Sequence, residues 1–209
     1  MRLHDYPASA NCYKVRLLLA LLGREYERVP VDIFAGDTLT DAYAALNPLR
    51  ETPVLELDDG TTVAQSNAIL WLLAEGTPYL PDDPVERALV LQWLFIEQEQ
   101  VMGGAGGVRF RSITGRPVPD AARRRGEQGL ALLDRHLDGR AWVVGDRPTI
   151  ADLSLYGYAH VADQAGYELD RYPALQAWLR RIAALPGFVD DLEPYPDNAR
   201  AGAGRSIYD

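Results

Sequence analysis

Apolar positions along the chain keep two rhythms, with the change near residue 78. Before it, short extended runs alternate with helical ones. Residues 2–5 form a short extended segment. Over residues 11–22, Val15, Leu18, Leu19 and Leu22 recur at the spacing of one helix face, and Gly23 supplies a C-terminal stop. Residues 26–33 are valine-rich and predict a second strand. Residues 38–46 have the composition of a short helix ending at Asn47-Pro48. V-L-E-L (54–57), D-D-G (58–60) and T-T-V-A (61–64) predict a hairpin with an Asp-Gly turn. Residues 66–75 follow as a helix, with Ser66 as N-cap and Gly76 as C-cap.

The order is β-α-β-α-β-β-α. A helix between the first two strands predicts a parallel pair, and a tight turn between the last two an antiparallel pair. That is the layout of an α/β thioredoxin-like N-terminal domain, residues 1–78. The stretch T-P-Y-L-P-D-D-P carries three prolines in eight residues and marks a linker at 79–84. Beyond Pro84 every periodic segment is helical: 85–101 around Leu89, Trp93 and Ile96, then 120–137, 149–165 and 173–185. An all-α helical C-terminal domain is therefore expected over 85–192. A tail at 193–209, rich in Pro, Gly, Asp and Arg, is expected to be loosely ordered.

Composition narrows the function classes. The 209 residues are 47% hydrophobic, enough for a real core. The formal net charge is −9 with no basic block, which argues against nucleic acid or an anionic membrane as partner. One cysteine excludes an internal disulfide and fits a reducing, cytoplasmic setting. His4, His136 and His160 have no metal-ligand spacing and no acidic cluster beside them, so no metal is expected.

Four motifs carry chemistry. Residues 9–16, S-A-N-C-Y-K-V-R, lie between the first strand and the first helix and hold the only cysteine and the only lysine. N-P-L-R-E-T-P-V-L spans 47–55, Q-S-N-A-I 65–69, and G-D-R-P-T-I-A-D 145–152. The last reads as a capping box, Thr149 capping and Asp152 reaching back. In order and spacing the four resemble the glutathione transferase family over roughly residues 1–190. The first motif resembles the serine-type, theta- and delta-like classes, and more closely the S-x-N-x-x-K-V form of bacterial members.

The resemblance implies an enzyme that activates glutathione, its co-substrate, as a thiolate for attack on a small electrophile. It implies that Gln65 and Ser66, at a helix start offering free N–H groups, hold the γ-glutamyl end. It implies a cis peptide at Thr52-Pro53 that presents main-chain groups to the cysteinyl part. Arg50 stands where the family commonly has glycine; with Glu51 it is a candidate contact for the glycyl carboxylate or an obstruction of the groove. Three groups compete for the sulfur: the Ser9 hydroxyl, then the Asn11 amide, then the Tyr6 phenol. Cys12 lacks a C-x-x-C partner and occupies a position that is mostly buried in the family, so direct chemistry by it is not expected. Lys14 is expected at the groove's edge or in solvent.

The second-substrate pocket is expected between the 6–13 turn and the helices after 85, with Tyr13, Met102 and Phe110 as apolar wall. M-G-G-A-G-G-V-R-F-R (102–111) reads either as a bend in a long helix or as an open floor with Arg109 or Arg111 available to an anion. Two other functions stay open: a glutathione-dependent disulfide or peroxide oxidoreductase, and a non-catalytic binding module of the same fold. The family habit implies a homodimer, each first domain against the partner's helices.

Overall fold

The computed structural model describes residues 1–208. Its sheet has four strands in the order β2-β1-β3-β4: β1 Arg2–Asp5, β2 Glu27–Pro30, β3 Val54–Glu56 and β4 Thr62–Ala64. β1 runs parallel to β2, with Leu3 opposite Arg28, and antiparallel to β3, with Leu3 opposite Leu55. β3 and β4 close the hairpin antiparallel. The second strand is shorter than its valine-rich stretch suggests, because Val31 onward turns away toward Asp32, whose carboxylate caps the next turn. Three helices complete this half: α1 Ala10–Leu21, α2 Asp41–Leu46 after a 3₁₀ turn, and α3 Ser66–Ala74.

The amphipathic reading of α1 needs correction. Every residue from Cys12 to Leu19 is buried, including Lys14 and Arg16. The helix is sandwiched between the sheet half and the helix at Ile150–Ala159, α7, rather than lying on a surface. Arg16 is accommodated because Asp5 and Asp191 accept its N–H groups at 2.7 and 2.9–3.0 Å, joined by the Pro7 carbonyl.

The rest of the described chain contributes no strand to the sheet. α4 (Pro84–Ile96) is capped by Asp83 and runs into a π-helical stretch, Glu97–Gly106, before α5 (Gly107–Ile113). α6 is Asp120–Leu137, α7 Ile150–Ala159 and α8 Pro173–Ala183. α7 ends earlier than its apolar run because 162–165 tighten into a 3₁₀ turn closed by Gly166 at φ 86°. The capping box forms: Thr149 and Asp152 satisfy each other's main-chain N–H groups. Asp152 also accepts from Val143 N at 3.0 Å and Trp178 Nε1 at 2.8 Å, pinning α8 and the preceding loop to α7.

One apolar core runs through both halves, from Leu3, Leu18 and Ile69 to Trp93, Leu133, Leu153 and Trp178. Two glycines of the run are explained by close crossing. A Cβ on Gly104 would lie 2.5 Å from the Gly126 nitrogen of α6, and one on Gly106 2.5 Å from the Tyr158 ring. The residues after 192 depart most from expectation. Arg205 N bonds Phe34 O at 2.7 Å, Ala201 N bonds Thr114 O at 2.9 Å, and Tyr195 and Tyr208 pack against Phe34 and Phe110. The segment is folded onto the molecule.

Candidate active site

The turn after β1, the strand start at Thr52, the start of α3, the π-helical stretch and the C-terminal segment face one another across a cleft of about 270 Å³. Ser9, Asn11, Glu51, Thr52, Gln65, Met102, Arg109 and Phe110, all singled out above, line it. A larger, more open groove of about 690 Å³ lies at the sheet edge around Met1, Glu25 and Asp58 and holds none of them.

Each wall position has a local cause. Ser9 is the N-cap of α1: its Oγ accepts from Cys12 N at 3.3 Å, so its own proton remains free to donate into the cleft. Asn11 Oδ1 accepts from Lys14 Nζ at 3.0 Å and from Ser66 Oγ at 3.1 Å. An ammonium donates only, so the oxygen must face Lys14 and the Nδ2 protons are left over. Nδ2 has no partner among the described residues.

Thr52-Pro53 is cis. Glu51 O is braced by Tyr43 Oη at 3.0 Å and Asn47 Nδ2 at 2.9 Å, while the main-chain N–H and C=O of Thr52 have no hydrogen-bond partner among the described residues. Gln65 adopts φ 71° at the cap of α3, and Ser66 is the first helical residue rather than the cap. A non-glycine residue at positive φ is uncommon and costs energy, and such strain clusters at ligand sites. The Ser66, Asn67 and Ala68 N–H groups are the free donors of the helix start. Gln65 Nε2 reaches Glu51 Oε2 at 3.3 Å.

Two expected contacts are corrected. Arg50 sits at φ 57°, which accounts for glycine being common there, and its Nη1 donates to Thr38 O and Thr40 O at 3.0 and 2.9 Å. Its guanidinium braces the α2 loop and neither reaches nor narrows the cleft. Tyr13 is fully buried behind the cleft, donating to Val189 O at 2.8 Å with its ring tilted against that of His160 at 5.1 Å, so it forms no wall. Lys14, too, is neither at an edge nor in solvent: it is 0% exposed, paired at 2.8 Å with Glu97, also 0% exposed. Burial lowers its pKa and Glu97 opposes that.

Cys12 is buried, and burial with nearby Asp5 pushes its thiol up to about 12, so it is a packed apolar group, not a thiolate. Tyr6 lines the cleft with its hydroxyl buried and unpartnered among the described residues, and burial raises its pKa. The sequence missed Gln98, Tyr158, Tyr195 and Tyr208, which complete the far wall. Two tyrosines in a polar tail were the available signal for the last pair. Gln98 Oε1 is likewise buried with no partner among the described residues. Arg109 is only 4% exposed; its Nε donates to Gln164 Oε1 at 2.8 Å and its Cζ lies 5.2 Å over the Tyr195 ring, with no carboxylate paired to it among the described residues. Arg111 points elsewhere, donating to Pro117 O. Among the described residues no group of three or more His, Cys, Asp or Glu is placed to hold a metal ion, and no helix is long and apolar enough to cross a membrane.

Known proteins match this chain over most of its length. Residues 8–75 match the family model described as glutathione S-transferase, N-terminal domain, and residues 109–181 that of the C-terminal domain. A maleylacetoacetate isomerase of Rhizobium meliloti is 36% identical, over 95% of this chain and 97% of its own. One from Pseudomonas aeruginosa is 30% identical, over 90% and 93%. Among solved structures, a glutathione S-transferase from Pseudomonas fluorescens superposes with a TM-score of 0.88 at 41% identity, covering 92% of this chain and 98% of that one. A possible glutathione S-transferase from Rhodopseudomonas palustris gives 0.86 at 40%, over 93% and 98%.

Proposed function

Since the chain belongs to the glutathione S-transferase family, we propose that the cleft binds glutathione and activates its thiol with Asn11 and Ser9 for attack on an acidic electrophile. The observation that carries this is convergence. Unsatisfied donors from the start of α1, the Thr52 main chain and the start of α3 face one cleft. The α3 start and Gln65 suit the γ-glutamyl carboxylate, the Thr52 N–H and C=O suit the cysteinyl backbone, and Asn11 Nδ2 and Ser9 Oγ suit the sulfur. On this reading residues 1–78 bind glutathione, 79–84 link, and 85–192 with the tail carry the second substrate's wall. The setting is cytoplasmic.

Ionisation alone does little. A thiol of pKa about 8.5 is a few per cent thiolate at pH 7. Lowering the pKa by about two units raises that roughly 25-fold, while the falling nucleophilicity takes back about 8-fold, leaving near 3-fold. The larger part of catalysis comes from holding the electrophile against the sulfur.

That gives the far wall its importance. Among the described residues Arg109 is a buried cation without an acidic partner, and the Tyr6 hydroxyl, which lines the same cleft, is an unused donor. A buried charge with no counter-ion favours a ligand that brings one. Phe110, Tyr195 and Tyr208 supply a flat apolar surround. An unsaturated carbonyl compound carrying a carboxylate fits both. Maleylacetoacetate, which gives the two relatives their name, is itself an acid.

The subunits pair through the face where Trp71, Leu91 and Phe95 border an apolar hollow of about 290 Å³; Phe95 is 66% exposed. Light scattering of wild type against Phe95→Glu reads this.

The deciding experiment is the ultraviolet thiolate absorbance of glutathione titrated with protein over pH 5–9, repeated with Asn11→Ala and Ser9→Ala. A bound thiol ionising near pH 6–7, and returned toward its free value by either substitution, supports the reading. A thiol that stays unshifted when bound removes it. Arg109→Gln should raise KM for a carboxylated enone about tenfold and leave that of its methyl ester within twofold.

A further inference from the structure

An asparagine helps a thiolate only with its N–H₂ end toward the sulfur; the amide turned over would present an oxygen to the negative charge. The two ends have nearly the same shape, so packing alone does not choose between them. In this chain the choice is made behind the cleft. Lys14 Nζ reaches Asn11 Oδ1 at 3.0 Å, and as a pure donor it tolerates only that orientation. Ser66 Oγ, at 3.1 Å, can donate or accept and so does not discriminate. Its single proton is also drawn away once a carboxylate occupies the α3 start, which leaves Lys14 as the remaining clamp.

Much of the surrounding structure keeps that ammonium in place. Glu97 Oε1 accepts from it at 2.8 Å, both side chains being fully buried, and the Tyr158 ring lies 4.7 Å away. Glu97 Oε2 accepts from Asn67 Nδ2 at 3.0 Å, and Asn67 Oδ1 accepts from Ser154 Oγ at 2.6 Å. The relay thus runs from α7 through α3 and the π-helical stretch to the turn at Asn11. Gly157 makes room for it, since a Cβ there would lie 2.6 Å from Lys14 Cγ.

We propose that Lys14, held by Glu97, is a positioning residue that locks the Asn11 amide with its N–H₂ toward the glutathione sulfur. The proposal rests on the assignment of Asn11 to the sulfur, and the test separates the two. Lys14→Met with Glu97→Leu removes both charges while keeping volume, a change that buried ion pairs often tolerate. The expected result is a folded protein whose bound thiol ionises about one unit higher, a roughly tenfold drop in thiolate at pH well below the wild-type bound value. The alkaline shift should recur in the pH profile of kcat/KM. Placed on Asn11→Ala, the same pair of changes should add nothing, because coupled residues are not additive. If the pair fails to fold, Lys14→Gln with Glu97→Gln keeps hydrogen-bonding capacity, permits either amide orientation and carries the same expectation. A thiol that is unmoved by the pair but moved by Asn11→Ala overturns the positioning role alone. A thiol unmoved by Asn11→Ala overturns the sulfur contact and the positioning role together.

Discussion

The two walls of the cleft are made by different means. In the wall assigned above to glutathione the main chain is set by local devices: a capped turn at Ser9, a cis peptide at Thr52-Pro53, and Gln65 held at φ 71° before α3. The far wall has no such device. It is a π-helical stretch held by glycine crossings, together with the segment of the tail that carries Tyr195 and Tyr208. A main chain set by short-range geometry changes little when distant residues change, although the Asn11 side chain leans on Lys14 and the distant Glu97. A wall built from long-range packing can be reshaped position by position, which suits the side that must fit the variable substrate.

The comparison is broken most severely at the helix crossing. Gly104→Ala drives a Cβ to 2.5 and 2.6 Å from the Gly126 main chain, which cannot rotate away. We expect a loss of about 3 kcal/mol, at the upper end of overpacking costs, read by denaturant unfolding. Turnover of the electrophile should fall in the folded fraction while glutathione affinity holds.

Acid should separate the halves next. His160, at the end of α7, is half-buried with its Nε2 enclosed, donates from Nδ1 to Tyr156 O at 2.6 Å, and has its pKa lowered to about 4 by desolvation. A histidine that resists protonation when folded gives stability that is full above its unfolded value near 6.5 and lost as pH falls toward 4. The loss is roughly 2 kcal/mol by pH 5. Asp152, raised to about 6 by burial, moves the opposite way, gaining as pH falls. The difference between wild type and His160→Leu therefore isolates the histidine: stability measured at pH 7 and pH 5 should show the variant losing less.

Tyr195→Ala tests the tail directly. Removing this ring from between Phe110 and Arg109 should raise the electrophile's KM about tenfold, or roughly 1.4 kcal/mol, with the KM for glutathione within twofold. If the KM for glutathione rises equally, the tail supports both walls and the contrast fails.

These differences also explain what could be read in advance. The near wall's main-chain devices sit at short signatures, S-x-N at a helix start and T-P before a strand, the cis bond being legible only through the family resemblance. Q-S located the start of α3 but put its cap at Ser66 instead of Gln65. Arg50 was misassigned because a backbone at φ 57° aims its side chain at the α2 loop, and no spacing reveals that. Lys14 reads as a surface cation until Glu97, 83 positions away, is brought to it. The tail's composition reads as loose, yet its main-chain bonds to Phe34 and Thr114 and its two tyrosines fasten it.

The smallest expected effect has the opposite sign and sharpens the contrast within four residues. Gly107 starts α5 with ordinary helical angles, φ −64° and ψ −37°, and a Cβ there would come no nearer than 3.7 Å to the Met102 carbonyl. Nothing at this position requires glycine. Gly107→Ala should therefore stabilise by about 0.5–1 kcal/mol, through helix propensity and a less flexible unfolded chain. Because residue 107 lines the cleft, the added methyl also narrows the far wall. A rise in stability with a modest rise in the electrophile's KM would mean that Gly104 and Gly106 serve the crossing while Gly107 serves the substrate. A fall in stability would mean that the whole run is needed for packing, and that the width of the far wall is only its by-product.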